Sequence, residues 1–283
     1  MTPNSEELKR LVESALESAL PSSSLPGNMT LNGAIRAAVF PGGKRFRPIF
    51  TLLAAHASGI PPAKALDAAC AIELLHCSSL IFDDLPCMDD AGLRRNRPAL
   101  HRQYGESTAL LAGLALFNEA YRLFGRYPRL IAEAAACIGV DGMIGGQHVD
   151  VGNHSAGNNP SDIRSRDCKT SGLLRLTLVA GACTGDDVPD FKIDLLADCG
   201  ERLGRAYQLL DDLLDDSAET GKTPAQDARH NRKAHTDEGD LAIADVDSCC
   251  AELSAAFGTN AAPLVAVVRS VFSHVAQTSL VGV

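Results

Sequence analysis

The sequence predicts an all-α fold, a single large helical bundle spanning residues 1–283. Alanine and leucine dominate, aromatic residues are only 5%, Trp is absent and β-branched runs are few, all of which favours helix. No segment alternates apolar and polar residues between hairpin turns. Apolar stretches of helical length end instead at proline or glycine.

Taken in order, Leu8 to Leu20 reads as an amphipathic helix closed by Pro21 and the loop SSSLPGN. Thr30 is a suitable N-cap for a second helix, which carries Ala34, Ala37 and Ala38 up to the break at Pro41-Gly42-Gly43. Arg47 to His56 restarts as helix, with Pro48 tolerated in its first turn. Pro61-Pro62 opens a long apolar helix from Ala63 to Phe82. Further helices are expected from Thr108 to Gly125, from Pro128 to Gly146 and from Ile163 to Ala182. The last follows a polar, Gly/Asn-rich connection from Asp150 to Asp162. Pro189 to Glu219 is one long helix or two meeting near Gly204. Residues 221–240 are polar and charged, the composition of a mobile loop, before a final helical stretch from Leu241.

Lys+Arg 26 against Asp+Glu 35 leaves a net charge of −9, a poor balance for general binding of nucleic acid or anionic lipid. An anionic substrate would need cations recruited locally. The longest uninterrupted apolar run, Ala109 to Phe117, falls far short of the roughly 20 residues of a membrane span. The start MTPNSEELKR has neither the basic residues nor the apolar stretch of a secretory signal. Nine cysteines without a CxxC, and eight histidines without an HxxxH pair, do not point to zinc. A reducing, cytoplasmic compartment is expected, although a trimmed organellar protein would read the same.

Two acidic segments carry the chemistry. SLIFDDLPCMDDAGLRR holds Asp83, Asp84, Asp89 and Asp90; YQLLDDLLDDSAETGK holds Asp211, Asp212, Asp215 and Asp216. At about 100° per residue, Asp211 and Asp215 lie roughly 40° apart and share one helix face. Oxygens one turn apart can grip a divalent cation. Asp83 and Asp89 would lie about 120° apart on a straight helix. Pro86 opposes the carbonyl of Phe82 and forces a kink or an end, after which Asp89 can return beside Asp83. Such clusters are often just solvated surface. Both of these, however, terminate apolar helices, and crowded carboxylates without a cation repel and shift toward neutrality. Mg²⁺ suits an all-oxygen set shared with phosphates. Cations accompany the carboxylates: Lys44, Arg45 and Arg47 in GGKRFRP, Arg94-Arg95, Lys169-Thr170 and Gly221-Lys222-Thr223, with His76 two turns before Asp83. Two separate basic groups fit two phosphorylated substrates.

GGKRFRP, DDLPCMDDAGLRRNRP with ALHRQYGE, GGQHVD, KTSGLL and YQLLDDLLDDSAETGK stand in the order found in the trans (head-to-tail) isoprenyl diphosphate synthases, which this chain resembles from about Leu31 to Lys222. The resemblance implies a homodimeric all-α fold with a deep central cavity. It implies Mg²⁺ held by Asp83 and Asp89 of the first motif and by Asp211, supported by Asp215, of the second. Asp84 and Asp212 complete the motifs, and Lys169 joins these aspartates as a catalytic residue. Lys44, Arg47, His76 and Arg95 match the residues that hold isopentenyl diphosphate. Arg94, Lys169, Thr170, Gln208 and Lys222 match those that hold the allylic diphosphate. Gln147 and Asp150 match a mid-chain motif that lines the cavity. The implied reaction is ionisation of the allylic diphosphate to a carbocation, attack by the alkene of isopentenyl diphosphate, and loss of a proton to the released diphosphate.

Product length is expected to depend on Ser78 and Ser79, which are small where relatives that stop at fifteen carbons often carry an aromatic residue. That predicts a twenty-carbon product, geranylgeranyl diphosphate, with Leu116 and Phe117 as residues that could close the tunnel sooner. Alternatives are a fifteen-carbon farnesyl diphosphate synthase and a non-catalytic subunit that modifies a partner synthase, although both aspartate motifs are kept here. A terpene cyclase would lack use for GGKRFRP. Past Lys222 the match weakens, with Arg232 or Lys233 where a second lysine is usual. Cys87 reads as spacer packing, His101 as a local hydrogen-bonding residue and His148 as cavity wall.

Overall fold

The computed structural model describes residues 4–152, 160–215 and 236–280, with the backbone alone at 152, 160–169, 211–215, 236–238 and 275–280. Its helices are α1 (Ser5–Ala19), α2 (Met29–Val39), α3 (Phe46–Ala57), α4 (Leu66–Asp83), α5 (Leu100–Tyr104), α6 (Glu106–Phe124), α7 (Pro128–Ile138), α8 (Met143–Gly152), α9 (Pro160–Ala182), α10 (Asp190–Asp215), α11 (Thr236–Phe257) and α12 (Ala262–Leu280). Short 3₁₀ turns at Pro62–Ala65 and Gly258–Ala261 lead into α4 and α12.

The core forms around α4, which is apolar on nearly every side and buries Ala68 through Leu75 in an unbroken run. It packs against α6, α3, α1 and α9. Helix α1 shows how the edge is built: Asn4 accepts from the Glu6 amide at 3.0 Å to start it, and Leu8, Val12 and Leu16 form its buried stripe. On the far side α10 lies along α9, and α11 returns along α10.

Two expectations change in detail and one open choice is settled. The stretch from Pro128 to Gly146 is two helices, because the chain turns sharply after Ile138; a Cβ at Gly142 would come within 2.1 Å of the Cys137 carbonyl oxygen. Helix α10 runs unbroken through Gly204, whose lack of a side chain serves close packing: a Cβ there would meet Ser171 Cα at 2.4 Å. A strand pair also exists, Leu93–Arg94 (β1) against Arg97–Pro98 (β2), with Arg94 opposite Arg97. Its central residues Arg95 and Asn96 both have positive φ, the requirement of a type I′ hairpin. Two-residue strands are too short to show alternation.

The polar connection shrinks, since α8 reaches Gly152 and α9 begins at Pro160. Of the expected loop over 221–240, residues 236–240 are helical and the rest lie outside the described residues. Pro62–Asp83 and Gly239–His274 are long enough, and apolar enough over an 18-residue stretch, to cross a membrane, which the uninterrupted-run criterion did not register. The first is the largely buried core helix, and the second is divided by the 3₁₀ turn before α12.

Candidate active site

Helix α4 ends where Pro86 makes continuation impossible, and the chain folds back on itself. The Asp89 amide donates to the Asp83 carbonyl at 3.0 Å, the Asp90 amide to Leu85 at 3.1 Å and the Ala91 amide to Asp84 at 3.2 Å. Asp89 is thereby returned beside Asp83, as the sequence predicts. Asp84, 3% exposed, turns inward and accepts from Arg94 Nε at 3.0 Å and Nη2 at 2.5 Å. Burial raises its pKa, and the Arg94 ion pair only partly offsets this. Arg94, expected at the allylic diphosphate, is thus engaged with Asp84 and ties the β1–β2 hairpin to the end of α4.

Below Asp83 opens a largely apolar cavity of about 610 Å³, a size that suits a small-molecule substrate. Helix α4 presents His76, Ser79, Leu80, Phe82 and Asp83 to it; α8 presents Met143, Ile144, Gln147, His148 and Val151; α9 presents Thr170 and Leu173; Arg47 of α3 completes the lining. The α8 residues recur at helical spacing, a signal present in the sequence but obscured by the expectation of one helix from Pro128 to Gly146. Both polar atoms of the Gln147 amide are buried there with no hydrogen-bond partner among the described residues. Thr170 donates its hydroxyl to Gln208 Oε1 at 2.7 Å, joining α9 to α10 at the cavity wall. Ser79 reaches the cavity. Ser78 does not: it is 1% exposed, on the opposite side of α4 from His76.

The cations converge on the same site. A Cβ at Gly43 would lie 3.3 Å from Arg95 Nη2, and one at Gly42 would collide with the Arg45 guanidinium at 1.9 Å, so both glycines admit an arginine against bare backbone. Arg45 is a residue that motif reading alone leaves as one more cation. It is buried, donates to Glu73 at 2.5 Å, to Glu13 at 2.9 Å and to the Val39 carbonyl at 2.7 Å, and thereby holds the GGKRFRP loop in place. Burial opposes its charge, but the bonds to Glu13 and Glu73 outweigh that and raise its pKa. Lys44 is exposed and Arg47 half-buried, its guanidinium 4.5 Å from the centre of the Phe46 ring. His76 is held well below the usual histidine range by burial and by Arg47, Arg95, Arg94 and Arg45, so its ring is neutral near pH 7.

Asp211, Asp212 and Asp215 occupy the last turns of α10, one turn beyond Gln208, and Lys169 precedes Thr170 on α9; their side chains lie outside the described residues, as does Lys222 entirely. Cys87 is an exposed thiol at the cavity rim and His148 is a wall residue. His101 is 6% exposed and, contrary to expectation, neither ring nitrogen has a hydrogen-bond partner among the described residues; its Nε2 lies 3.9 Å from Asp90. The donor set at the mouth, Asp83 with Asp89 drawn back to it, is made of carboxylate oxygens, which fits a hard divalent cation such as Mg²⁺.

Comparison with known proteins agrees with this arrangement. The chain is 37% identical over 235 residues to geranylgeranyl pyrophosphate synthase 11, chloroplastic, of Arabidopsis thaliana, covering 76% of this chain and 64% of that relative, less than two thirds of its length. It is 36% identical over 238 residues to the geranylgeranyl diphosphate synthase of Pantoea ananas, with 79% and 76% covered. Among solved structures, the Helicobacter pylori geranyltransferase complexed with magnesium and isoprenyl diphosphate superposes with a TM-score of 0.81 at 28% identity, over 96% of this chain and 99% of that one. An apo FPP/GFPP synthase from Zymomonas mobilis gives 0.80 at 30% identity, over 95% and 100%. The polyprenyl synthetase model matches residues 28–236, a span that holds the aspartate pair, the cation loop and the cavity walls alike, and the chain belongs to that family.

Proposed function

We propose that the protein is a short-chain trans-prenyltransferase that condenses isopentenyl diphosphate head-to-tail with allylic diphosphates, ending at geranylgeranyl diphosphate. The observation that carries this reading is that Asp83, with Asp89 folded back to it, borders an apolar chamber that Arg47 and His76 also line.

Asp83 and Asp89, with Asp211 and Asp215 from α10, would hold Mg²⁺. When bound, the ion neutralises the allylic diphosphate and makes it a leaving group. Thr170, fixed by Gln208, approaches the allylic diphosphate from α9, where Lys169 and Lys222 would join it. Lys44, Arg47 and Arg95 receive isopentenyl diphosphate, and neutral His76 offers one N–H donor beside them. Leu80, Phe82, Met143, Ile144 and Leu173 exclude water, so an allylic cation meets the alkene before it meets solvent. The proton lost from the condensed cation passes to the departing diphosphate, so no protein nucleophile is needed. Asp84 acts by holding Arg94 and the hairpin that displays Arg95; Asp212 completes the second motif.

The twenty-carbon product is supported by small Ser79 in the cavity wall and by the names of the Arabidopsis and Pantoea relatives. A homodimer is supported by α6, which leaves Leu110, Leu111 and Leu114 exposed along one side. Free thiols at every described cysteine side chain fit a reducing, cytoplasmic setting.

The test is purified protein with Mg²⁺, isopentenyl diphosphate and each of the C5, C10 and C15 allylic diphosphates, with products separated by length. Twenty-carbon product from all three is expected. An end at fifteen carbons would make it a farnesyl diphosphate synthase, and no product from any primer would leave the non-catalytic subunit.

A further inference from the structure

Ser78 and Ser79 are small, yet the space beside Ser78 is not empty. Phe82 stands four residues later on α4, one turn above Ser78 and about 40° from it around the axis. Side chains on a helix lean toward its N-terminus, so an aromatic ring at 82 covers the turn that carries Ser78 and Ser79. The far edge of the ring rests on α6: a Cβ at Gly113 would meet Phe82 Cε1 at 2.6 Å and Cζ at 2.9 Å. Phe82 lines the cavity, whereas Ser78 and α6 do not. Behind the ring the Ser78 hydroxyl is buried with no hydrogen-bond partner among the described residues.

We infer that Phe82, seated in a notch formed by Ser78, Ser79 and Gly113, is the side chain that limits product length in this protein, and that Gly113 sets how far its ring stands into the cavity. The inference rests on the prenyltransferase reading. The ring closes the α4–α6 side of the chamber against a growing tail. Removing it opens a path toward Ser78 and the α6 seam. A methyl group at 113 cannot share the notch with the ring, which already borders the cavity and would be pushed further into it.

The test compares wild type with Phe82→Ala, Phe82→Leu, Gly113→Ala and the double variant Gly113→Ala/Phe82→Leu, scoring product length at saturating isopentenyl diphosphate. Circular dichroism checks the fold, and Phe82→Leu stays apolar in case the alanine variant is unstable. The expected result is a distribution at least one isoprene unit longer for the Phe82 variants, a shorter one for Gly113→Ala, and a return toward wild type in the double variant. Unchanged lengths in folded, active variants would overturn the inference and leave the prenyltransferase reading intact. Slower turnover at unchanged length would also overturn it, placing the ring's role at the reacting carbon instead. A wild type that elongates no primer would overturn the functional reading and this inference with it.

Discussion

Arg45 and Arg47 sit two positions apart in GGKRFRP and do different work. Arg47 faces the cavity, while Arg45 is enclosed by Glu73, Glu13 and the Val39 carbonyl. Removing one member of a buried, hydrogen-bonded pair leaves the other charge uncompensated, so Glu73→Ala should lower the unfolding free energy by about 3 kcal/mol in urea titrations. His76 adds a pH dependence of known sign. Its native pKa lies well below 6.5, so the unfolded chain takes up a proton that the native one refuses. Its contribution to stability is complete above pH 6.5 and is lost as the pH falls below that value, at no more than about 1.4 kcal/mol per pH unit. His76→Gln should flatten the fall in Tm between pH 6.5 and about pH 5.

Helices α9 and α10 meet through glycine. A Cβ at Gly200 would come within 2.6 Å of Arg175 Cα, and one at Gly204 within 2.4 Å of Ser171 Cα. The two glycines are one turn apart, and Gln208 follows after another turn to accept from Thr170. Close backbone approach here therefore sets the position of the hydroxyl at the cavity wall. Gly204→Ala should push the helices apart, destabilise the fold by about 1–3 kcal/mol and raise KM for the allylic diphosphate more than that for isopentenyl diphosphate. A change confined to stability would separate packing from substrate positioning. From composition, Gly204 reads equally well as a helix break; its role appears only with α9 beside it.

Assembly and metal binding concern the entire chain. Leu111 and Leu114 are 53% and 50% exposed on α6, a helix whose opposite side is buried against α4. Leu111→Glu together with Leu114→Glu should halve the mass measured by light scattering if this side joins two copies. Carboxylates gathered at the cavity mouth should also make the fold responsive to metal. If Mg²⁺ and inorganic diphosphate bind the native state alone, adding them together should raise Tm, and chelation should remove turnover and that Tm increase together.

Helical class, the order of most helices, the break at Pro86 and the return of Asp89 to Asp83 were legible in the residues, because they depend on local propensity and on proline's fixed geometry. The order of the motifs also singled out Arg47, His76, Ser79, Gln147 and Thr170, all of which line the cavity. Other features depend on partners far away in the chain. Nothing near Arg45 announces Glu13 or Glu73, and Arg94, though only ten residues past Asp84, pairs with it only once the chain folds back after Pro86. The space beside Ser78 looked open because its occupant, Phe82, takes its place only when Gly113 of another helix makes room. Short-range chemistry selects each helix and its end; which side chain is enclosed, paired or left facing the substrate follows from how closely those helices can approach.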